Sequence, residues 1–242
     1  LIIGLLLLVW RDGPRKLAIG LLGMVLLQGA FGAWTVTLKL WPQVVTAHLL
    51  GGFTTLALMW LLAQRLFRWR WSLSLNVASL KKLAYVGLVL VALQVALGGW
   101  TSSNYAALAC TDLPTCHGSW FPTADYDEGF NFFQHIGPNY LGGQLDNDAR
   151  IAIHFTHRVG AIIVTLFTLF LAWRLFSTGY QPARRLAVIT TAVLVAQVTL
   201  GLSNIIFALP LSVAVMHNAG GAVLLLCYVT LLHRLHTTEA IT

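Results

Sequence analysis

Charged residues are scarce in this sequence. They make up 10% of its 242 residues, whereas 57% are hydrophobic and the mean hydropathy is +0.76. A soluble domain of this size carries about 25% charged residues. The composition therefore excludes an ordinary water-soluble domain and predicts a chain that is embedded in lipid.

Carboxylates and thiols are rarer still. There are 8 Asp and Glu against 15 Lys and Arg, and the basic residues form short clusters between apolar runs, which is loop charge and not a nucleic-acid surface. Of the 3 cysteines, Cys110 and Cys116 share one polar loop. No initiator Met or basic region precedes the apolar run at Leu1, so the start is not typical of a signal peptide and predicts the tail of a helix.

Apolar runs long enough to span a bilayer, about 20 residues each, are what the sequence does contain. We call them segments A to F, and their predicted limits are 17–37, 44–64, 83–103, 151–173, 186–207 and 211–232, after a shorter apolar stretch at 1–10. Segments C and D are separated by a polar loop, 104–150, whose length predicts a functional role.

Lys and Arg cluster in alternate loops. One set of loops holds Arg11, Arg15 and Lys16; Arg65, Arg68, Arg70, Lys81 and Lys82; and Arg174, Arg184 and Arg185. Of the other loops, the one between A and B holds only Lys39, and the one between E and F holds no charged residue. Loop 104–150 holds six acidic residues and one basic residue, Arg150. Because cytoplasmic loops are enriched in Lys and Arg, the first set is predicted to be cytoplasmic and loop 104–150 extracytoplasmic.

An internal repeat predicts the architecture. Segments A, C and E carry Gln-x-x-x-Gly at Gln28, Gln94 and Gln197, and segments B, D and F carry His-x-x-Gly at His48, His157 and His217. Hairpin A–B recurs as hairpin E–F at a constant offset of 169 residues, and residues 6–11 resemble 169–174. We expect an all-α membrane protein of two pseudo-symmetric four-helix bundles, as in other membrane proteins built from repeats.

The repeat also predicts the domain limits. Residues 1–65 would be the remainder of an N-terminal bundle that lacks its first helix and most of its second. Residues 66–81 would be a cytoplasmic linker, and residues 82–242 a C-terminal four-helix bundle that contains the outer loop.

The three repeated histidines are predicted to lie at one depth, roughly 8–10 Å below the outer surface. Such residues could hydrogen-bond across helices. Two facing imidazoles in one bundle, His157 and His217, could instead hold haem iron from both sides, an arrangement that favours electron transfer. No carboxylate or thiolate within the apolar runs is placed to complete a zinc or copper site, so haem is the favoured group.

Residues near these histidines have two interpretations each. The glycine three residues after each histidine could clear room for a flat porphyrin or serve close helix packing. Arg158 could pair with a haem propionate, since its fork suits carboxylates, or extend to the interface. His154 could assist the site or be an interfacial histidine. Cys110 and Cys116 could form a structural disulfide or a redox-active pair, because thiols outside the membrane are oxidised.

Four stretches of the sequence resemble the haem A synthases of aerobic bacteria and mitochondria. They are LQGAFGAWTVTLKLWPQVVTAHLLGG (27–52), LQVALGGWTSSNYAALACTDLPTC (93–116), IGPNYLGGQLDNDARIAIHFTHRVGA (136–161) and MHNAGGA (216–222). The resemblance covers the whole chain.

The resemblance implies a bacterial inner-membrane enzyme that oxidises a ring methyl of haem O to a formyl group, with haem sites toward the outer side. It implies haem b as cofactor, with axial ligands at His157 and His217, and haem O as substrate, with an axial ligand at His48. Cys110 and Cys116 match the family's outer-loop pair, and haem O synthase is a further expected partner.

The family's proposed catalytic Glu belongs to a Glu-x-x-His-Arg motif that is expected upstream of Leu1, so we expect these 242 residues to be inactive alone. The repeat places His154 where that Glu would be in the second bundle. A membrane cytochrome with two bis-histidine haems and no substrate chemistry is the alternative function. A thiol–quinone oxidoreductase would need a second reactive cysteine pair, which the sequence does not contain.

Overall fold

A computed structural model describes residues 2–10, 13–67, 70–71 and 78–237. This part of the chain forms helices and no strand: α1 (Ile2–Val9), α2 (Arg15–Thr37), α3 (Pro42–Leu66), α4 (Ala78–Ser103), α5 (Tyr126–Gly129), α6 (Asn147–Phe176), α7 (Gln181–Ile206) and α8 (Leu211–His236). All except α1 and α5 are long and apolar enough to cross a membrane. The prediction of an all-α membrane protein is confirmed.

Segments A to F correspond in order to α2, α3, α4, α6, α7 and α8. Most helix ends lie a few residues beyond the predicted limits, because hydrogen bonding continues where the apolar run stops and the chain enters the interface. The largest shifts are at the starts of α4 and α7, which begin at Ala78 and Gln181 instead of 83 and 186. Half of the predicted linker, 68–69 and 72–77, lies outside the described residues, as do Arg11 and Arg68, on which the predicted orientation partly rests.

Helices α4, α6, α7 and α8 form a closed four-helix bundle in which each helix contacts its two neighbours. Helix α3 packs beside the bundle against α4 and α8, while α2 contacts α3, and α1 contacts α2. The main hydrophobic core lies in the half of the bundle predicted to be cytoplasmic, around Tyr228, Leu171 and Ala84. There the Tyr228 hydroxyl lies 2.9 Å from Thr168 Oγ1, so the buried phenol is satisfied.

The outward helices α2, α4 and α7 end in the same backbone arrangement. The amides of Leu40, Ala106 and Leu209 donate to carbonyls five residues earlier, at 2.8, 2.9 and 2.7 Å. The residue before each of them has a positive φ, between 50° and 55°. These three turns fall at the same offsets as the Gln motifs, although the residues with the positive φ are Lys39, Tyr105 and Ala208, so the structural repeat extends beyond the sequence repeat.

The outer loop covers the extracytoplasmic end of the bundle. Its short helix α5 is capped by Asp125, whose carboxylate accepts the Glu128 amide at 2.9 Å. The Trp100 indole of α4 donates to the Gly129 carbonyl at 2.9 Å. The loop is therefore a packed layer and not a free tether.

Candidate functional site

Each repeated histidine is paired with the glutamine of the preceding outward helix. In the α7–α8 hairpin, His217 Nδ1 lies 3.2 Å from the backbone carbonyl oxygen of Gln197. His217 Nε2 lies 3.4 Å from the side-chain amide nitrogen of Gln197. The His217 ring packs on Gly201, where an added Cβ would be 3.0 Å from Cε1. The glutamine and the glycine of one helix thus hold the imidazole of the next.

The α4–α6 hairpin repeats this arrangement. The Gln94 amide nitrogen donates to the His157 carbonyl at 2.9 Å and lies 3.1 Å from His157 Nδ1. An added Cβ at Gly98 would be 3.4 Å from the His157 ring. His157 is half-buried in the same closed bundle as His217, and the two imidazoles are near enough to interact electrostatically.

The α2–α3 hairpin holds His48 in the same way. With the Gln28 amide oriented to satisfy both its atoms, its nitrogen donates to His48 Nδ1 at 2.8 Å and to the His48 carbonyl at 3.0 Å. Its oxygen then accepts the Gly52 amide at 3.2 Å. An added Cβ at Gly32 would be 3.2 Å from the His48 ring. No histidine occurs in α1 or α2, so His48 has no facing imidazole within its own hairpin.

The glycine three residues after each histidine serves close packing of the hairpin. A Cβ at Gly51, Gly160 or Gly220 would collide with the amide of the paired glutamine. Of the two interpretations open to these glycines, close packing is the one that the contacts bear out. Clearance for a porphyrin is not needed to explain them, because the glutamine side chain occupies the space over each one.

Residues of the bundle are not buried at the level of His157 and His217. On α4 none is buried between Val91 and Gly99, and on α6 none between His154 and Val164. On α7 none is buried after Leu194, and on α8 none before Leu224. Residues at this level are therefore partly exposed, whereas many below it are buried.

This level fits a haem better than a bare metal ion. Among the described residues there is no group of three or more His, Cys, Asp or Glu that could hold a metal. A porphyrin supplies four ligands itself and needs only two imidazoles. Metal-ligating histidines usually donate their second N–H to a carbonyl or carboxylate. His217 has such a partner in the Gln197 backbone carbonyl, and iron at Nε2 would replace the contact of this nitrogen with the Gln197 side-chain amide.

The second histidine of the bundle has a different partner at Nδ1. The Gln94 amide nitrogen donates to the His157 carbonyl at 2.9 Å and lies 3.1 Å from His157 Nδ1. Gln28 takes the same orientation toward His48, because the opposite one would set its oxygen against other acceptors. Ligation through His157 Nε2 would require the Gln94 nitrogen to leave Nδ1. Two imidazoles in one closed bundle are the donor set that the predicted haem would need.

Arg158 anchors the outer loop to α6. Its Nη1 donates to the carbonyls of Asp112 and Thr115 at 3.0 and 2.8 Å, and its Nη2 donates to the Cys110 carbonyl at 2.6 Å. Its Nε lies 3.3 Å from His154 Nε2. A guanidinium has five N–H donors, and three of those of Arg158 meet carbonyls of the disulfide loop. The propionate role of Arg158 stays a prediction, and it would have to use the remaining N–H groups.

His154 joins the same network and is buried. Its Nδ1 accepts the Cys110 amide at 3.1 Å, so it holds the disulfide loop from below. Sequence reasoning left its role open, since the partner is 44 residues away in the chain. Through its contact with Cys110, His154 supports the disulfide loop, which covers the helical turn on which His157 lies.

The outer loop is closed by the predicted disulfide between Cys110 and Cys116, both of which are buried. Inside it, the Asp112 carboxylate accepts the Thr115 hydroxyl at 2.6 Å and the amides of Gly118 and His117 at 2.9 and 2.7 Å. These hydrogen bonds, that of Thr115 foremost, hold the pKa of Asp112 well below its usual range. The loop therefore carries a firmly ionised carboxylate beside the Arg158 anchor.

The far part of the loop crosses to the α2–α3 hairpin. Trp41 Nε1 donates to the Gln134 carbonyl at 3.1 Å, and the Tyr140 amide donates to the Lys39 carbonyl at 3.0 Å. The sequence gives no sign of these contacts, because they join segments about 100 residues apart. One loop thus spans the outer ends of both histidine-bearing regions.

The fold and the site define a class: a multi-pass, all-helical membrane protein with histidines held by glutamines in repeated hairpins. Residues 1–229 match the model of the COX15-CtaA family, described as cytochrome oxidase assembly protein, and the chain belongs to this family.

Curated relatives of the chain carry the name haem A synthase. That of Shewanella oneidensis is 47% identical over 221 residues, which cover 91% of this chain and 66% of the relative. That of Methylobacterium radiotolerans is 31% identical, covering 88% and 58%. That of Caulobacter vibrioides is 29% identical, covering 90% and 63%. The chain thus spans about three-fifths to two-thirds of the length of these relatives.

Proposed function

We propose that the chain functions in haem A biosynthesis as part of a haem A synthase, which oxidises a ring methyl of haem O to a formyl group. The observation that carries the proposal is the presence in one closed bundle of two histidines, His157 and His217, each held by a glutamine of the neighbouring helix. The name that the relatives carry supports the same function.

In this proposal, His157 and His217 are the axial ligands of a haem b. Haem b, when bound, would supply one-electron transfer, since two imidazoles leave no open position for oxygen. The Gln197 backbone carbonyl would accept the Nδ1 proton of His217, orient its ring and raise the basicity of its ligating nitrogen. The Gln94 side chain would orient the His157 ring through its contact with Nδ1.

His48 is the proposed axial ligand for the substrate, haem O. Gln28 holds the His48 ring, which lies against Gly32. The rings of His157 and His217 are held in the same way by a glutamine and a glycine of the preceding outward helix. The outer loop lies over both regions through its contacts with Trp41 and Lys39 on one side and Arg158 on the other. In this role the loop limits water access to both sites from outside.

Pigment extraction tests this function in cells that lack the gene. We expect haem O to accumulate and haem A to be absent. The full-length gene should restore haem A, whereas a full-length gene with His48→Ala should not. Normal haem A in the deletion strain would exclude the synthase function and favour a membrane electron-transfer cytochrome.

A further inference from the structure

A cavity lies at the opposite end of the molecule from the repeated histidines, between α3, α4 and α8. Its volume is about 870 Å³, and its lining also includes Gly13 and Pro14, which precede α2. Just above it, α3 and α8 are joined by the Trp60 indole, which donates to Thr230 Oγ1 at 2.8 Å. Beyond this contact the helices enclose space that the four-helix core does not fill.

Gln64 lines this cavity and marks it as a polar binding site. The residue is fully buried, and neither its amide oxygen nor its amide nitrogen has a hydrogen-bond partner. A buried amide without partners costs about 1–3 kcal/mol for each unsatisfied group. Such a group in a native protein calls for a ligand or an ordered water that supplies the partners.

The cavity has a charged part and an apolar part. Two exposed arginines, Arg65 and Arg70, line the charged part, and no carboxylate is among the described residues that line the cavity. Leu61, Leu88 and Leu232 provide an apolar wall. A ligand of matching chemistry has an anionic head, acceptors and donors for one amide, and an apolar tail.

We propose that this cavity binds an anionic phospholipid whose head group carries hydroxyls. The phosphate would face Arg65 and Arg70 and accept the Gln64 N–H, a head-group hydroxyl would donate to the Gln64 oxygen, and an acyl chain would follow the apolar wall. Basic pockets between helices on the cytoplasmic side of membrane proteins are known to bind anionic head groups. The predicted orientation places this end of the molecule there.

A quinone fits the cavity less well. Its carbonyls accept hydrogen bonds but donate none, so the Gln64 oxygen would stay unsatisfied. It also carries no charge for the two arginines. The inference does not depend on the proposed haem chemistry, because every residue in it lies at the other end of the helices from His157 and His217.

Native mass spectrometry of the purified full-length protein tests the proposal. The protein is released from nanodiscs that contain equal amounts of phosphatidylglycerol and phosphatidylcholine. We expect one retained phosphatidylglycerol per chain. Retention should fall about 25-fold in the Arg65→Gln, Arg70→Gln double variant, since each arginine near the bilayer surface contributes roughly fivefold. The Arg174→Gln, Arg185→Gln double variant removes equal charge outside the cavity and should retain the lipid.

Gln64→Leu separates ligand binding from a structural role. Without phosphatidylglycerol this variant should be at least as heat-stable as the wild type, since it removes a buried unsatisfied amide. It should lose most of the stabilisation that added phosphatidylglycerol gives the wild type, with affinity reduced about tenfold. Equal retention of both lipids, unchanged retention in the Arg65, Arg70 variant, or displacement of the lipid by a quinone would overturn the proposal.

Discussion

The α2–α3 and α7–α8 hairpins carry the same motif at the same offset, yet they sit in different surroundings. Both hold a histidine between a glutamine and a glycine, and both have outward helices that end in the same turn. Helix α8 is part of a closed bundle, and 39% of its apolar stretch is buried, against 17% for the equivalent helix α3. Local geometry is therefore shared, and the tertiary surroundings decide whether a histidine faces a partner.

The largest expected effect is a difference in haem b content between the His217→Ala and His48→Ala variants. In purified full-length protein, His217→Ala should abolish the low-spin haem b spectrum, because one of two axial ligands is gone. His48→Ala should keep the haem b content of the wild type while haem A production stops. The measurement is the pyridine haemochrome spectrum of each purified variant.

His135→Ala, a change in the outer loop, is the matched control and should keep both properties. An unchanged spectrum in His217→Ala would refute the ligand assignment. Equal loss of haem b in His48→Ala would show that the two hairpins are not functionally distinct.

A moderate effect is expected from the glycines that contact the glutamines. Gly220→Ala places a methyl group against the Gln197 amide, which must withdraw and lose its contact with the His217 ring. We expect a loss of about 1–2 kcal/mol in stability, from the hydrogen bond and the repacking. Gly51→Ala should cost about the same, since it displaces Gln28.

Haem b content should distinguish these two glycine variants, falling in Gly220→Ala and not in Gly51→Ala. Gly52→Ala is the control, because nothing lies within 4 Å of an added Cβ there. Thermal unfolding and haem content of the purified variants check both statements. A stable Gly220→Ala protein with full haem b would contradict the role given to Gln197.

The smallest expected effect concerns pH and the two parts of the outer loop. The pKa of Asp112 is lowered in the folded loop, so its hydrogen bonds stabilise the loop fully above the ordinary pKa of 3.8. That stabilisation is lost as pH falls below this value toward the folded pKa. Residues 109–118 should then exchange amide hydrogens faster, after correction for intrinsic rates.

Residues 132–140 should not respond in the same way, because their contacts with the α2–α3 hairpin use backbone carbonyls that do not titrate. Hydrogen-exchange mass spectrometry between about pH 5 and about pH 3 compares the two segments. Asp112→Asn should remove the pH dependence of residues 109–118. A pH response that persists in this variant would assign it to another group.

Much of the site was predictable because Gln and His are rare in apolar runs, so their recurrence at one offset is informative. The repeat predicted the hairpins and the histidine positions, but not the role of the glutamines as partners of the imidazoles. Arg158 was predicted near the site, yet its main contacts are with the disulfide loop. Those contacts join residues that are 43 to 48 positions apart in the sequence. A pattern among neighbouring residues cannot predict them.

The turns show the same limit. Lys39 and Ala208 differ in size and charge, yet both adopt a positive φ after an outward helix, each followed by a leucine that does the same. Any residue can be held there when the helices on either side are fixed by packing, so residue type does not reveal the turn.

By itself, the sequence determined the membrane class, the six spanning helices and the histidine positions. These follow from hydropathy and periodicity, which act over about 20 residues. Only the tertiary structure decided that α4, α6, α7 and α8 close into one bundle and that a glutamine of the neighbouring helix holds each of His157 and His217. The reason is physical: a site in a membrane bundle is formed by side chains of several helices, and the sequence of one helix does not determine how they meet.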